Sequence, residues 1–169
     1  MPDYIFDTTV LSNMAAVGRL DLLEKRYRQA ALTTVEVSDE LRRGLQAGYA
    51  YLEDLLQKIE STAPGGWLRM AVPESADEHQ LRADLDLLLG RGEASCLALA
   101  ISRGLILVTD DLAARRVAQE RGVPLTGTIG ILLALVRDGS LSLGEANAIL
   151  TGMTERRYRS PVDRLDDLI

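Results

Sequence analysis

The feature of the sequence that most limits its fold is a set of short, continuous apolar runs that alternate with longer segments of helical periodicity. The clearest run is Leu105–Thr109, which follows a glycine and precedes two aspartates, and Tyr4–Phe6 is a similar run that ends at Asp7. Strands that are apolar throughout are typical of parallel sheets covered by helices on both faces. The pattern therefore predicts an α/β fold with a central, mostly parallel sheet.

Weaker runs of the same kind predict three further strands, at Ala30–Thr33, Trp67–Val72 and Val123–Thr126. Apolar residues that recur at helical spacing predict helices between the strands. The predicted helices are Thr9–Tyr27 with a break at Gly18, a helix capped by Thr34 and ended by Gly44 or Gly48, Tyr51–Ile59, Asp77–Leu89, Glu93–Arg103, Asp111–Arg121, Ile129–Arg137 and Leu143–Met153.

Length and composition fit one globular domain. The chain has 169 residues, 47% of them hydrophobic, which is sufficient for a single core. The clearest interruption, Ala63-Pro64-Gly65-Gly66, is interpreted as a loop. We therefore expect one domain over residues 1–155, followed by a charged C-terminal tail over 156–169 that packs on the domain or extends from it.

Several functional classes are excluded by composition. The chain has one cysteine, Cys96, and one histidine, His79, which rules out an intrachain disulfide and a zinc site built from Cys and His. The net charge of −6 argues against a general nucleic-acid binder, but not against a nuclease whose carboxylates hold a metal. No apolar run has the length of a membrane span, and Met1–Val10 lacks the pattern of a signal peptide, so we expect a soluble cytoplasmic protein.

Acidic residues follow two of the predicted strands directly. Asp7 comes after the first strand, and Asp110 and Asp111 come after the strongest one. Because ligands of such sheets bind beyond the carboxyl ends of the strands, both strands are expected to deliver carboxylates to the same edge. Glu40 and Glu93 are predicted on helices, where they stand beside apolar or small residues.

These carboxylates have the chemistry of a divalent metal site. Mg²⁺ and Mn²⁺ prefer oxygen ligands, and a cation removes the repulsion between neighbouring carboxylates. Each residue also has a structural interpretation: Asp7 could terminate a strand, Asp111 could be a helix N-cap, and Glu93 could interact with a helix dipole. Because two of the positions reach the ligand edge independently, we favour the metal site.

Four motifs together resemble the PIN-domain ribonucleases, a family that includes the toxins of virulence-associated-protein toxin–antitoxin systems. They are DTTVLSN at Asp7, the helix bearing Glu40, GEASCLALA at Glu93, and LVTDDLAARRVAQERGVPLTGTIGILL from Leu107 onward. The closing RRYRSPVDRLDDL is similar to the same branch of the family. The resemblance implies a three-layer α/β/α sandwich and cleavage of single-stranded RNA by water with Mg²⁺ or Mn²⁺.

Carried over residue by residue, the resemblance implies that Asp7, Glu40, Glu93 and either Asp110 or Asp111 bind one or two of these ions. The third acid is often aspartate in the family, whereas Glu93 is one methylene longer. The fourth position offers two adjacent aspartates whose side chains point in different directions, so the choice between them stays open.

Hydroxyl and amide residues near the acids are implied to support the site. Thr8, Thr9 or Thr109 would hold a metal-bound water through a hydroxyl, as residues at these positions often do in the family. Asn13 could line the pocket or be a polar residue on a helix surface. Thr128 is predicted to cap the helix that follows it.

The basic residues have two interpretations each. Arg115 and Arg116 follow the acidic edge by one helical turn, and they could bind RNA phosphate or pair with the aspartates. We favour the ion pair. The arginine cluster at residues 156–159 could contact nucleic acid, but we interpret it as a solvated face.

The sequence thus predicts a metal-dependent endoribonuclease. As implied by the resemblance, it would be the toxin of a toxin–antitoxin pair, with RNA as substrate, a small antitoxin protein as partner and a homodimer as its assembly. Two alternatives stay open: a PIN-like binding or assembly module without useful activity, and a small-molecule phosphohydrolase that uses the same acids.

Overall fold

A computed structural model of the chain describes residues 3–60 and 65–169. Ala63 and Pro64 of the predicted loop lie outside the described residues. The strands all occur at or near predicted positions. They are β1 (Tyr4–Phe6), β2 (Ala31–Thr34), β3 (Arg69–Ala71), β4 (Ile106–Val108) and β5 (Leu125–Thr126).

Helices connect the strands and cover the sheet. They are α1 (Thr8–Ala16), α2 (Leu20–Tyr27), α3 (Val35–Gln46), α4 (Leu52–Gln57), α5 (Ala76–Asp86), α6 (Arg91–Arg103), α7 (Leu112–Glu120), α8 (Thr128–Arg137), α9 (Leu143–Glu155) and a short 3₁₀ helix at Asp166–Leu168. Among the described residues, none of these helices combines the length and the apolar character needed to cross a membrane.

The five strands form one sheet in the order β3-β2-β1-β4-β5, and every neighbouring pair is parallel. The predicted α/β fold with a three-layer α/β/α arrangement is confirmed. The chain passes from β1 to β2 on one side, and β4 lies on the other side of β1. The carboxyl ends of β1 and β4 therefore form a switch point, which is where ligands of such sheets bind.

The break predicted at Gly18 occurs, because Gly18 adopts the left-handed conformation, with φ of 68°, between α1 and α2. One predicted strand differs from the structure in its start. The strand predicted from Trp67 begins at Arg69. The backbone N–H groups of Trp67 and Leu68 donate instead to the carbonyl of Lys58, at 2.9 Å each.

Helix α6 is the central helix of the core. It packs against β1, β2 and β4, and the residues from Ala94 to Ala100 are all buried, including Cys96. A hydroxyl pair, Thr34 Oγ1 and Ser95 Oγ at 2.7 Å, ties β2 to this helix. The first turn of α6 is thereby fixed near the carboxyl ends of the strands.

The C-terminal segment packs on the domain through a buried anchor. Leu165 is fully buried, and its backbone N–H donates to Asn147 Oδ1 at 2.8 Å. Asn147 Nδ2 donates in turn to Asp166 at 2.9 Å. These contacts hold the end of the chain against α9.

Candidate active site

Asp7 lies at the centre of the carboxyl edge, directly after β1. Its Oδ1 accepts hydrogen bonds from the Thr9 backbone N–H at 3.0 Å and from Thr9 Oγ1 at 2.7 Å, so Asp7 caps α1. Its Oδ2 accepts a hydrogen bond from Thr109 Oγ1. The parallel register explains the contact with Thr109. Phe6 on β1 is opposite Val108 on β4, and the residues that follow these two strands are Asp7 and Thr109.

The Asp7 carboxyl is 1% exposed, and its protonation is perturbed. Burial raises the pKa of Asp7 to about 7, and the negative charge of Glu93 adds to the rise. Hydrogen bonds from Thr109 and Thr9 act in the opposite direction. A carboxyl buried beside another carboxyl is a frequent sign of a functional site.

Glu40, on α3, reaches the first turn of α6. Its Oε1 accepts a hydrogen bond from the Gly92 backbone N–H at 3.0 Å, and its Oε2 accepts one from Thr8 Oγ1. A Cβ atom at position 92 would lie 2.7 Å from both carboxylate oxygens of Glu40. Glycine is therefore required here for the close approach of Glu40, not for backbone freedom.

Replacing Gly92 with alanine is expected to displace the Glu40 carboxylate. Since the displaced group is the end of a flexible side chain, we expect the free energy of unfolding to change by less than about 1 kcal/mol, whereas an activity that depends on the position of the Glu40 carboxylate falls about tenfold to a hundredfold. Gly144→Ala is the matched control, because Gly144 is also the second residue of its helix and a Cβ there meets only Ser142 Oγ at 4.0 Å. Equal activity of the two variants would show that the position of the Glu40 carboxylate does not matter for function.

Glu93 lies in the first turn of α6, as predicted, and is half-buried. Partial burial raises its pKa, and the negative charges of Glu40 and Asp111 add to the rise. The negative charge of Glu93 also contributes to the raised pKa of Asp7. Four carboxylates from four separate elements thus interact electrostatically, with Glu93 common to all of the interactions; we call Asp7, Glu40, Glu93 and Asp111 the carboxylate cluster.

The adjacent aspartates have different surroundings. Asp111 caps α7, since its Oδ1 accepts from the Ala114 backbone N–H at 2.8 Å. Asp110 turns instead towards α8, where its Oδ1 accepts from the Thr128 backbone N–H at 2.8 Å. Its Oδ2 accepts from Asn13 Nδ2 at 2.9 Å and from Thr128 Oγ1. Both oxygens of Asp110 are thus occupied by protein donors.

The predicted N-cap role of Thr128 is wrong. The N-cap of α8 is Gly127, and Thr128 is the first residue of the helix. Its hydroxyl donates to Asp110 instead, so the helix start is satisfied by a carboxylate from the end of β4. The Thr128 hydroxyl also accepts a hydrogen bond from Asn13 Nδ2 at 3.2 Å, so it links α1 and β4 to the start of α8.

The favoured ion pair of Arg115 does not form. Arg115 Nη1 donates to the Thr109 carbonyl oxygen at 2.8 Å, and no salt bridge joins it to Asp110 or Asp111 in the described residues. The Thr109 carbonyl follows β4 and lies six residues before Arg115, and it accepts this hydrogen bond where an aspartate was expected to do so.

The carboxylate oxygens of the cluster are suitable ligand atoms for a divalent cation, although the side chains are not arranged in a coordination shell. Within residues 3–60 and 65–169, no three His, Cys, Asp or Glu side chains are grouped closely enough to hold a metal ion. The threonine hydroxyls that now donate to Asp7 and Glu40 occupy oxygens that a cation would use. The donors are all carboxylate oxygens, and their mutual repulsion would be relieved by a cation.

A cavity of about 940 Å³ opens beside the carboxylate cluster. Among the sequence-predicted residues, Asp7, Glu40 and Glu93 do not line it, and neither does Thr109. The cavity is lined by Thr8, Thr9, Ser12, Asn13, Asp110, Asp111, Leu112, Ala113, Arg115, Gly127, Ile129, Gly130, Arg157, Tyr158, Arg159 and Pro161.

The contribution of the C-terminal segment to this cavity was missed from the sequence. Arg157 and Arg159 line it, although the cluster at 156–159 is predicted as a solvated face. Tyr158 lines it as well and packs on the core. The tyrosine between arginines was the available signal, because an aromatic residue in a charged segment often anchors it.

Comparisons with known proteins agree with this architecture. A family model described as a PIN domain matches residues 3–169. Among solved structures, the chain is similar to the crystal structure of PAE2754 from Pyrobaculum aerophilum, with 20% sequence identity and a TM-score of 0.54 over 80% of this chain and 98% of that one. That likeness shows the fold alone. No curated protein matches the chain. Because the family match spans nearly the whole sequence, the chain belongs to the PIN-domain family, whose members are generally nucleases.

Proposed function

We propose that this protein is a Mg²⁺- or Mn²⁺-dependent endoribonuclease that hydrolyses single-stranded RNA at the carboxylate cluster. The observation that carries the proposal is the convergence of four acids, from the ends of β1 and β4 and from α3 and α6, on one sheet edge. Such a concentration of negative charge lowers the stability of the metal-free fold, and clusters of this kind are found preferentially at functional sites. Membership of a nuclease family supplies the reaction class.

The four carboxylates would hold the metal. A bound divalent ion activates water and neutralises the charge that develops on a phosphodiester during in-line attack. The hydroxyls of Thr8 and Thr109, which now donate to Glu40 and Asp7, would turn to hold water.

Glu93 is the carboxylate best placed to take a proton from the attacking water. In the described residues, no other residue donates a hydrogen bond to the Glu93 side chain. In Asp7 and in Glu40, by contrast, both carboxylate oxygens accept hydrogen bonds from the protein. Glu93 therefore has carboxylate oxygens available to accept a proton from water, as general-base catalysis requires. No histidine is needed for this role.

Of the two adjacent aspartates, we assign metal binding to Asp111. It interacts with Glu93 and uses only Oδ1 in capping α7, whereas both oxygens of Asp110 are held by Thr128 and Asn13. Asp110 then has a positioning role between β4 and α8.

The pair Asp111→Asn and Asp110→Asn tests this assignment. Asparagine caps helices as well as aspartate, so Asp111→Asn is expected to keep its thermal stability, to lose Mn²⁺ binding and to reduce cleavage by about a hundredfold or more. In Asp110→Asn an amide NH₂ group replaces one oxygen that accepts from Thr128 or Asn13, so two donors face each other. We expect this variant to lose about 1–3 kcal/mol of stability and still to bind Mn²⁺. Calorimetric Mn²⁺ titration and thermal unfolding measure both effects. Loss of Mn²⁺ binding only in Asp110→Asn would reverse the assignment.

RNA cleavage tests the function itself. The purified protein is incubated with a labelled single-stranded RNA in Mn²⁺, in Mg²⁺ and in EDTA. We expect internal cleavage with either metal and none in EDTA. Hydrolysis of p-nitrophenyl phosphate without RNA cleavage would contradict the proposal and favour a phosphohydrolase; neither activity would favour a binding module. The antitoxin partner, the homodimer and the cytoplasmic location stay predictions from the sequence and the resemblance.

A further inference from the structure

The cavity beside the carboxylate cluster has a basic rim supplied by the C-terminal segment. Arg157 and Arg159 line it and are exposed, and Arg115 lines it from α7. In the described part of the chain, none of these three arginines forms a salt bridge. Asp110 and Asp111 line the same cavity, yet these arginines do not pair with them, so three guanidinium groups at one cavity are available to an anionic ligand.

The backbone at Arg157, on this rim, has a conformation that residues other than glycine rarely adopt. Arg157 has φ of 74°, and it is the only non-glycine residue with positive φ among those described. It follows the C-cap of α9, Arg156, at the position where helices usually carry glycine. An arginine there costs stability relative to glycine, and such strain tends to be kept at ligand clamps.

The segment after this turn is held firmly. The Tyr158 backbone N–H donates to the Met153 carbonyl at 3.1 Å, and the Tyr158 side chain packs on the core. Further along, Leu165 is buried and hydrogen-bonded to Asn147. The two exposed arginines therefore project from an anchored segment rather than from a loose tail.

The same cavity has apolar walls. Leu112 is 82% exposed although it is a large aliphatic residue, and Ile129, Pro161 and the Tyr158 ring also line the space. Apolar and aromatic walls with arginines at the rim suit a flat base joined to a phosphate. A volume of about 940 Å³ is ample for one nucleotide.

We propose that this cavity is a nucleotide subsite, in which Arg157 and Arg159 bind a backbone phosphate of single-stranded RNA and the apolar walls around Tyr158 receive the adjoining base. The inference rests on the proposed function, because it places a nucleotide of the substrate beside the bond that the carboxylate cluster hydrolyses. It makes the C-terminal segment a determinant of RNA binding.

The test measures binding of a fluorescent single-stranded RNA in EDTA by anisotropy, so that no cleavage occurs. We expect Arg157→Gly and Arg159→Ala each to weaken binding about fivefold to tenfold and to reduce the dependence of affinity on salt. Arg156→Ala is the matched control: it removes the same charge one residue away, but Arg156 donates to the Gly152 carbonyl and lines a different, smaller pocket. We expect Arg156→Ala to bind within about twofold of wild type.

Arg157→Gly separates a binding role from a structural one. Because glycine relieves the positive φ, its melting temperature is expected to equal or exceed that of the wild type while its affinity falls. A nucleoside monophosphate is expected to compete with the RNA, whereas ribose 5-phosphate at the same concentration is not. Competition by both alike would overturn the base-binding part of the proposal.

Parallel cleavage assays distinguish failure of this inference from failure of the proposed function. If wild type cleaves RNA and Arg156→Ala weakens binding as much as the other two variants, the subsite is wrong and the nuclease stands. If wild type does not cleave but Arg157→Gly and Arg159→Ala selectively lose binding, the nuclease proposal fails and the nucleotide subsite stands. No binding of RNA by wild type would overturn the subsite.

Discussion

Asparagine at position 7 is expected to abolish RNA cleavage and at the same time to stabilise the metal-free protein at neutral pH. Asp7 is the most buried member of the carboxylate cluster, and its charge is opposed by burial and by Glu93. Removing the charge removes that penalty, while the asparagine oxygen can still accept from Thr9 to cap α1. A loss of activity with a gain of stability is typical of functional residues.

The pH dependence of the gain follows from the raised pKa of Asp7. The folded protein holds the proton up to about pH 7, whereas the unfolded chain releases it near the ordinary value of 3.8. The stability contributed by protonated Asp7 is therefore fully present below about pH 4 and is lost as the pH rises to about 7. Asp7→Asn does not titrate, so its advantage grows over this range and is constant above it.

Urea unfolding in EDTA measures this advantage. We expect Asp7→Asn to be more stable than wild type by on the order of 2–4 kcal/mol at about pH 8, and by clearly less at about pH 5. Cleavage by the variant is expected to fall by about a thousandfold or more, because a metal ligand is lost. A variant that is destabilised equally at both pH values would show that the Asp7 carboxylate is structural.

The second large effect is expected at Glu78, a buried carboxylate outside the site. Glu78 is 5% exposed and accepts from Arg103 Nε at 2.8 Å and Nη2 at 3.0 Å. Ser102 Oγ donates to it at 3.0 Å, and the Glu74 backbone N–H donates at 2.7 Å. The Arg103 guanidinium is the main reason that the pKa of Glu78 is lowered to about 2. This network joins α5 to α6.

Glu78→Gln is expected to lower the free energy of unfolding by about 2–3 kcal/mol at neutral pH, because Arg103 loses its charged partner. The folded pKa lies below the ordinary value of 4.5, so the stability from Glu78 is present above about pH 4.5 and is lost as the pH falls towards 2. The destabilisation of Glu78→Gln should therefore shrink as the pH falls from about 4.5 towards 2. The difference for Asp7→Asn has the opposite sign, a stabilisation, and it shrinks at higher pH, between about 7 and 4.

Glu74→Gln is the control for Glu78→Gln, because Glu74 is exposed, its backbone N–H donates to Glu78, and its side chain acts on Arg103 through its charge alone, without a hydrogen bond in the described residues. We expect the control to unfold like wild type. Below its unfolding temperature, Glu78→Gln is expected to cleave RNA normally, since Glu78 belongs neither to the carboxylate cluster nor to the cavity. Unfolding of Glu78→Gln at the wild-type midpoint would refute the network's contribution.

The sequence predicted that Asp7 and the pair Asp110 and Asp111 lie at one edge, because apolar strands in a parallel sheet end there. The contact of Asp7 with Thr109 depends in addition on which strands are neighbours. Their order in the sheet then decided the rest, and it placed β4 beside β1. The positions of Glu40 and Glu93 depend on how α3 and α6 pack, which local periodicity does not encode. For these two residues the family resemblance, rather than the pattern, supplied the prediction.

Other features could not be read from the chain because they depend on side-chain direction or on distant contacts. Asp110 and Asp111 are equivalent in the sequence, and only the packing of α8 reveals that Asp110 turns to Thr128. Glu78 stands in a polar run, and its burial results from Arg103, which is distant in sequence. Arg157 lines the cavity because the chain turns back after α9.

The most direct test of the central claim is the rate of RNA cleavage by wild type and Asp7→Asn, purified in parallel and assayed with Mn²⁺ after treatment with EDTA. The account predicts that Mn²⁺ restores cleavage to wild type and not to Asp7→Asn, although the variant is folded and more stable. Equal cleavage by the two proteins, or no cleavage by wild type, would contradict a nuclease centred on the carboxylate cluster.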